Sequence, residues 1–200
     1  MRKAIHHLKK ADPVLAGIID RVGPYRISYR EPDFGTLVRS IVYQQLSGNA
    51  AATILNRLLA RTGDPPTPES ILRMRANTMR KLGLSRQKTI YIRDLAARTR
   101  DGEIDFARLR EWQDHEIIGH LTQVKGIGVW TVHMFLIFAL RRTDVLPTGD
   151  LGVRAAIKKA YGLEALPKPD EMERIAQAWR PFCSVASWYL WRSLEGVAAL

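Results

Sequence analysis

Leu121-Thr122-Gln123-Val124-Lys125-Gly126-Ile127-Gly128-Val129-Trp130-Thr131 decides how this chain is read. Before it, Asp114 is placed to cap a helix whose apolar positions are Ile117, Ile118, Leu121 and Val124. After it, an apolar helix is expected from Val129 to about Leu140. Gly126-Ile127-Gly128 makes the tight turn between them, because glycine accepts φ > 0 and lets another backbone come close. The helix-hairpin-helix so defined covers about residues 114–140. N–H groups at the turn and at the new helix's N-terminus would point outward together and, with the helix dipole, cradle a phosphate. Contacts of that kind hold a DNA backbone without reading its bases. The same turn also reads as a plain helix–helix connection with glycine at a C-cap.

Outward from the hairpin, the pattern is helical throughout and contains no convincing strand. Ala51, Ile54, Leu55, Leu58 and Leu59 form one apolar stripe. Thr67-Pro68-Glu69 is a helix start, and Ser85 can cap a helix through Tyr91, Ile92, Leu95 and Ala96. Asp150 opens a helix that runs to about Tyr161 and ends at Gly162. Asp170-Glu171-Met172-Glu173 has capping-box spacing, and a last helix begins near Pro181. The expectation is an all-α fold of about ten helices in two lobes around a cleft. It is read as one domain over residues 1–200, with Gly63-Asp64-Pro65-Pro66 as the candidate hinge.

The chain has 31 Lys and Arg against 20 Asp and Glu, a formal net charge of +11. That balance suits a polyanion, since neutralising phosphates releases counterions, although most such charges simply solvate a surface. No apolar run reaches the roughly 18–20 residues of a membrane span, and no apolar stretch follows the basic start. A single cysteine, Cys183, excludes an internal disulfide framework and a four-cysteine iron–sulfur site. An intracellular setting is expected, the cytoplasm or nucleoid if the source is prokaryotic.

Beyond the hairpin lies Leu146-Pro147-Thr148-Gly149-Asp150. By itself Asp150 is a helix N-cap after a glycine turn. Paired with the hairpin, it makes the chain resemble the superfamily named for a helix-hairpin-helix, a Gly/Pro-rich loop and a catalytic aspartate. Within it the likeness is to the alkylbase glycosylases, the DNA-3-methyladenine glycosylase II family. The likeness runs from about Pro32 to Trp191 and includes Ser40-Ile41-Val42-Tyr43-Gln44-Gln45-Leu46-Ser47 and the segment Trp179 to Trp191. A compact member, without the extra N-terminal β domain of many bacterial members, is expected.

The resemblance implies a monofunctional glycosylase that flips an alkylated purine of the 3-methyladenine or 7-methylguanine type out of double-stranded DNA. Asp150 would be the catalytic carboxylate. Trp130 stands where bifunctional relatives carry a lysine nucleophile, so water would attack. Trp130 and Trp191 would line the base pocket, offering ring faces to a cationic base, while Trp188 is read as packing. His133 lies near that pocket, and Met134 stands where some relatives place an aromatic. Gly126, Gly128 and Lys125 would bind DNA, the two glycines serving alike, and Lys125 replaces a common proline. Gln45 or Leu46 would be the wedge that fills the gap left by the flipped base. The carbonyls of Thr122, Val124 and Ile127 could hold a structural monovalent cation, with no cofactor required. Cys183, where arginine is frequent, is read as a small buried apolar residue. A monomer is expected. Two alternatives stay open: a non-catalytic helix-hairpin-helix DNA-binding module, and a glycosylase for other damaged bases.

Overall fold

The structure is a computed structural model and describes residues 1–195. Those residues form helices and turns with no strand. The helices are α1 (Arg2–Ala11), α2 (Pro13–Val22), α3 (Phe34–Tyr43), α4 (Gly48–Thr62), α5 (Pro68–Arg73), α6 (Ala76–Lys81), α7 (Arg86–Arg100), α8 (Asp114–Leu121), α9 (Val129–Phe138), α10 (Leu151–Tyr161), α11 (Pro169–Ala176) and α12 (Cys183–Glu195). No helix among the described residues is long and apolar enough to cross a membrane.

Local chemistry starts most of these helices. Thr67 and Ser70 exchange hydrogen bonds in a capping box (3.2 and 3.0 Å), with Pro68 at the first helical position. Ser85 accepts from the Lys88 N–H (3.1 Å). Three expectations shift by a residue or two. The cap of α8 is Gln113, because Glu116 reaches back to its N–H (2.7 Å). Pro169 moves the start of α11 ahead of the expected box, and α12 begins at Cys183 rather than near Pro181.

The chain divides into two compact units, Arg30–Phe135 and the segments on either side of it. The flanking unit comprises Met1–Tyr29 and, from Leu136 onward, the C-terminal end of α9 and the helices α10–α12. Its core gathers Leu8, Leu15, Ile18, Ile157, Trp179 and Tyr189, and α12 packs on both α2 and α10. Burying one such side chain contributes roughly 1.5–3 kcal/mol. Buried Asp12 caps α2 through the Leu15 N–H (3.0 Å) and also accepts from Trp179 Nε1 (2.7 Å) and the Tyr161 hydroxyl. A buried carboxylate with three donors avoids the penalty of an unpaired one.

In the central unit α7 is the common neighbour, packing on α3, α5 and α6. Leu37, Ile41, Leu58, Ile71, Met79, Ile92 and Leu95 are buried there. The Gly63–Pro66 loop is no boundary between the units, since it lies inside this one. It packs on α3, where a Cβ on Gly35 would sit 3.2 Å from Pro66 Cδ.

Candidate active site and nucleic-acid interface

In the central unit α8 ends at Leu121 and α9 begins at Val129, so the expected hairpin forms, though α9 stops at Phe138. The turn is closed by Val124 N–H to Leu121 O (3.1 Å) and Ile127 N–H to Val124 O (3.1 Å). Val124 and Ile127 are buried, which presses the turn onto its unit. Its two glycines differ. Gly126 has φ +80° and lies on the Tyr91 ring, where a Cβ would come within 2.1 Å of Cδ2. Gly128 has no such φ and nothing within 4 Å of its Cβ direction. Gly126 is thus demanded by packing and backbone, and Gly128 faces open space. Among the described residues no backbone carbonyl takes the Gly128 or Val129 N–H, as is usual for the first N–H groups of a helix.

Lys125 is tethered from behind. Its backbone N–H donates to Asp94 Oδ2 (3.0 Å), and its exposed Nζ lies 3.9 Å from Asp94 Oδ1. The carbonyls of Thr122, Val124 and Ile127 belong to the same turn, and of these only Val124 O accepts within it, from Ile127. Each keeps at least one lone pair, as a monovalent cation would need.

The turn after α3 meets the hairpin directly: Gln44 Nε2 donates to the Gly126 carbonyl (2.8 Å). Next to it Gln45 takes φ +54°, an uncommon conformation for a residue with a side chain. Gln45 and Leu46 are exposed, Leu46 by 40%. Along α9, Trp130 is 46% exposed and Met134 half-buried one turn on. His133 buries its Nδ1 with no partner among the described residues. Desolvation holds its pKa below the usual 6.5, against a smaller opposing pull from Asp114. Burial therefore favours the neutral ring. The unfolded chain takes up this proton near pH 6.5 while the folded one resists it, so stability falls as pH drops through that range. In thermal melts, His133→Gln should flatten the decline in Tm between pH 7 and pH 5; an unchanged decline would show that His133 is not the group responsible.

In the flanking unit Asp150 is only 7% exposed and caps α10. Its Oδ1 accepts from the Val153 N–H (2.8 Å) and from Trp191 Nε1 (2.8 Å). Trp191 in turn stacks on Phe138 (centroids 5.7 Å, 26° between planes). Two donors from different helices thus orient one carboxylate. Gly152 permits this: a Cβ there would stand 3.1 Å from both Asp150 Oδ1 and Trp191 Cδ1. Trp188 packs between Tyr25 (4.6 Å) and Tyr189 (4.9 Å), as expected of a core residue. Cys183 is fully buried, and desolvation, then Asp144, push its thiol pKa far up, so it is no nucleophile.

Sequence reading missed Tyr91, Lys88, Asp94, Gln44, Phe138 and Gly152. Their partners lie far along the chain, so spacing carries no signal; Gly152, two residues after Asp150, was the one legible hint.

An all-α chain with this hairpin and an aspartate held at a helix start is the class of protein that grips DNA by its backbone and works on a base. The comparisons make that specific. Residues 38–181 match the family model described as HhH-GPD superfamily base excision DNA repair protein. A relative from Schizosaccharomyces pombe, DNA-3-methyladenine glycosylase 1, is 36% identical over 200 residues, covering 96% of this chain and 87% of its own. The structure of a 3-methyladenine DNA glycosylase from that yeast in complex with abasic DNA superposes with TM-score 0.84 at 35% identity, covering 94% and 95% of the two chains. A DNA-3-methyladenine glycosidase from Bacillus halodurans gives TM-score 0.88 at 34% identity, covering 98% and 90%. The chain belongs to the HhH-GPD superfamily of base excision DNA repair proteins, and it is a DNA glycosylase.

Proposed function

We propose that this glycosylase is monofunctional, acts on cationic alkylpurines of the 3-methyladenine and 7-methylguanine type, and uses Asp150 as its essential carboxylate. The observation that carries this reading is the Asp150 carboxylate, nearly buried and aimed by the Val153 and Trp191 N–H groups. A fixed negative charge stabilises a sugar that gains positive charge as the glycosidic bond breaks, and it orients or deprotonates the attacking water. Methylation leaves the base positively charged and a good leaving group, so no separate general acid is required. Trp130 occupies the position where an amine could form a Schiff base, which leaves water as the nucleophile. Burial disfavours the charged form of His133, which would limit its repulsion of a cationic base.

Gly128 and Val129 would offer N–H groups to a phosphate, with Lys125 adding charge. The Thr122, Val124 and Ile127 carbonyls would hold a monovalent cation that adds positive potential there. Gln45 and Leu46, exposed on their turn, would fill the gap in the base stack. The protein would act as a monomer on double-stranded DNA inside the cell.

The test is single-turnover base release from defined duplexes, with borohydride present in a parallel reaction. Release of 3-methyladenine or 7-methylguanine without a trapped protein–DNA adduct is expected. A lesion-dependent adduct, or no release of either base, would overturn the reading. Trp191→Phe keeps the stack on Phe138 but removes the donor to Asp150. It should slow charged and neutral lesions equally, by about tenfold, the equivalent of roughly 1.4 kcal/mol. Trp130→Ala should instead cost more on cationic bases, by the 0.5–2 kcal/mol typical of about one cation–π contact. Equal losses in that variant would leave Trp130 as a wall of the pocket.

A further inference from the structure

The turn after α3 and the hairpin are both built onto one helix, α7. Lys88 sends its ammonium to two carbonyls at the end of α3, Val42 O (2.7 Å) and Gln44 O (2.6 Å). Tyr91, one turn on, is the platform beneath Gly126. Asp94, a turn further, accepts from the Lys125 N–H (3.0 Å). Gln44 closes the ring by donating to the Gly126 carbonyl (2.8 Å). Both segments are thereby pinned to a rigid rod and to each other, with all the pinning groups in one compact unit.

The left-handed backbone of Gln45 sits immediately beyond these anchors. Such a conformation persists only where its surroundings over-determine it. Lys88 supplies that determination from below, bonding the carbonyls on the near side of Gln45. The arrangement also carries a cost, because desolvation pulls the Lys88 pKa down from its ordinary value. A helix end at the surface could leave those carbonyls to water without that penalty.

We infer that Lys88 and Gln44 are positioning residues for base extrusion: they hold the Gln45–Leu46 turn in register with the phosphate-gripping hairpin. The inference rests on reading Gln45 or Leu46 as the wedge. Flipping requires the strand to be held at its phosphates while a side chain enters the stack. A wedge that drifts relative to the grip loses that leverage, and misplacement by about 1 Å can cost on the order of a hundredfold in rate. Lys88 touches no reacting atom in this scheme and acts through the turn alone.

The prediction concerns a ratio of rates. Single-turnover release of 7-methylguanine is measured from a duplex where it faces cytosine and from the same strand where it faces an abasic-site analogue. The second base is unpaired, so its extrusion needs less help. Lys88→Met should slow release from the paired duplex about tenfold or more while staying within about twofold of wild type on the unpaired one. Gln44→Met should do the same and removes only one side-chain hydrogen bond across the two segments, so it carries the test if Lys88→Met does not fold. Equal losses on both duplexes, or no loss on either, would overturn the inference. Gln45→Ala and Leu46→Ala are run alongside. If neither distinguishes the duplexes, the wedge reading falls and this inference falls with it. If either one does and the Lys88 and Gln44 variants do not, the wedge stands and the positioning role alone is refuted.

Discussion

Asp150→Asn will remove nearly all base release while leaving the fold and the binding of abasic-site DNA in place. Asparagine is as good an N-cap as aspartate, and its side-chain oxygen can keep accepting from the Val153 and Trp191 N–H groups. What disappears, on the proposed role of Asp150, is a negative charge to stabilise the sugar and the ability to take a proton from water. The loss in single-turnover rate should be on the order of a hundredfold to ten-thousandfold. Thermal melts and binding to an abasic duplex are the companion measurements. Turnover near wild type would show that Asp150 is only a helix cap. Loss of activity accompanied by an equal loss of stability and binding would point the same way. Asp150→Ala is the contrasting variant, since it discards the cap as well and should cost about 1 kcal/mol of stability.

Gly126→Ala and Gly128→Ala will behave differently, although sequence assigns both glycines the same work. A methyl at Gly126 would overlap the Tyr91 ring at 2.1 Å and would have to accept φ +80°. Overpacking and left-handed strain together should cost roughly 2–5 kcal/mol. For a chain of this length that lowers Tm by about 10 °C. DNA binding should fail along with the hairpin, for damaged and undamaged duplexes alike. Tyr91→Ala in the same chain should recover part of the stability by removing the clash while leaving the backbone strain. Gly128→Ala meets nothing within 4 Å, so its fold should be unchanged. Its effect should appear only as weaker binding to every duplex, through a crowded phosphate contact. A Gly126→Ala protein that melts like wild type would mean that the hairpin does not rest on Tyr91. A Gly128→Ala protein that binds DNA as before would remove that glycine from the phosphate site.

The contrast between the two glycines shows where sequence reading stops. Gly-Ile-Gly announces a turn, and the turn is there. Nothing in the motif says that a tyrosine from α7 lies under the first glycine and open space faces the second. Trp191 gives the same lesson. A tryptophan in the last helix was expected to offer its ring to a base; one of its neighbours is Phe138, and its N–H serves Asp150. The Asp12-Pro13 start of α2 carries the same cap-and-proline signature as Thr67-Pro68 at the start of α5.

What sequence alone determined was local. The all-α class, the hairpin, the Ser85 and Thr67 caps, and α10 between Asp150 and Gly162 all follow from groups that meet within a turn or so of helix. Caps bond three residues away and apolar stripes recur every three or four, so spacing in the chain is spacing in space. Only the tertiary structure decided that Gln44 reaches Gly126 across 82 positions, that Lys88 holds a turn 44 and 46 positions back, and that Trp191 aims Asp150 across 41. Those distances are set by how the faces of separate helices pack. The energy of packing depends on whole side-chain shapes in contact, which no periodicity along the chain encodes.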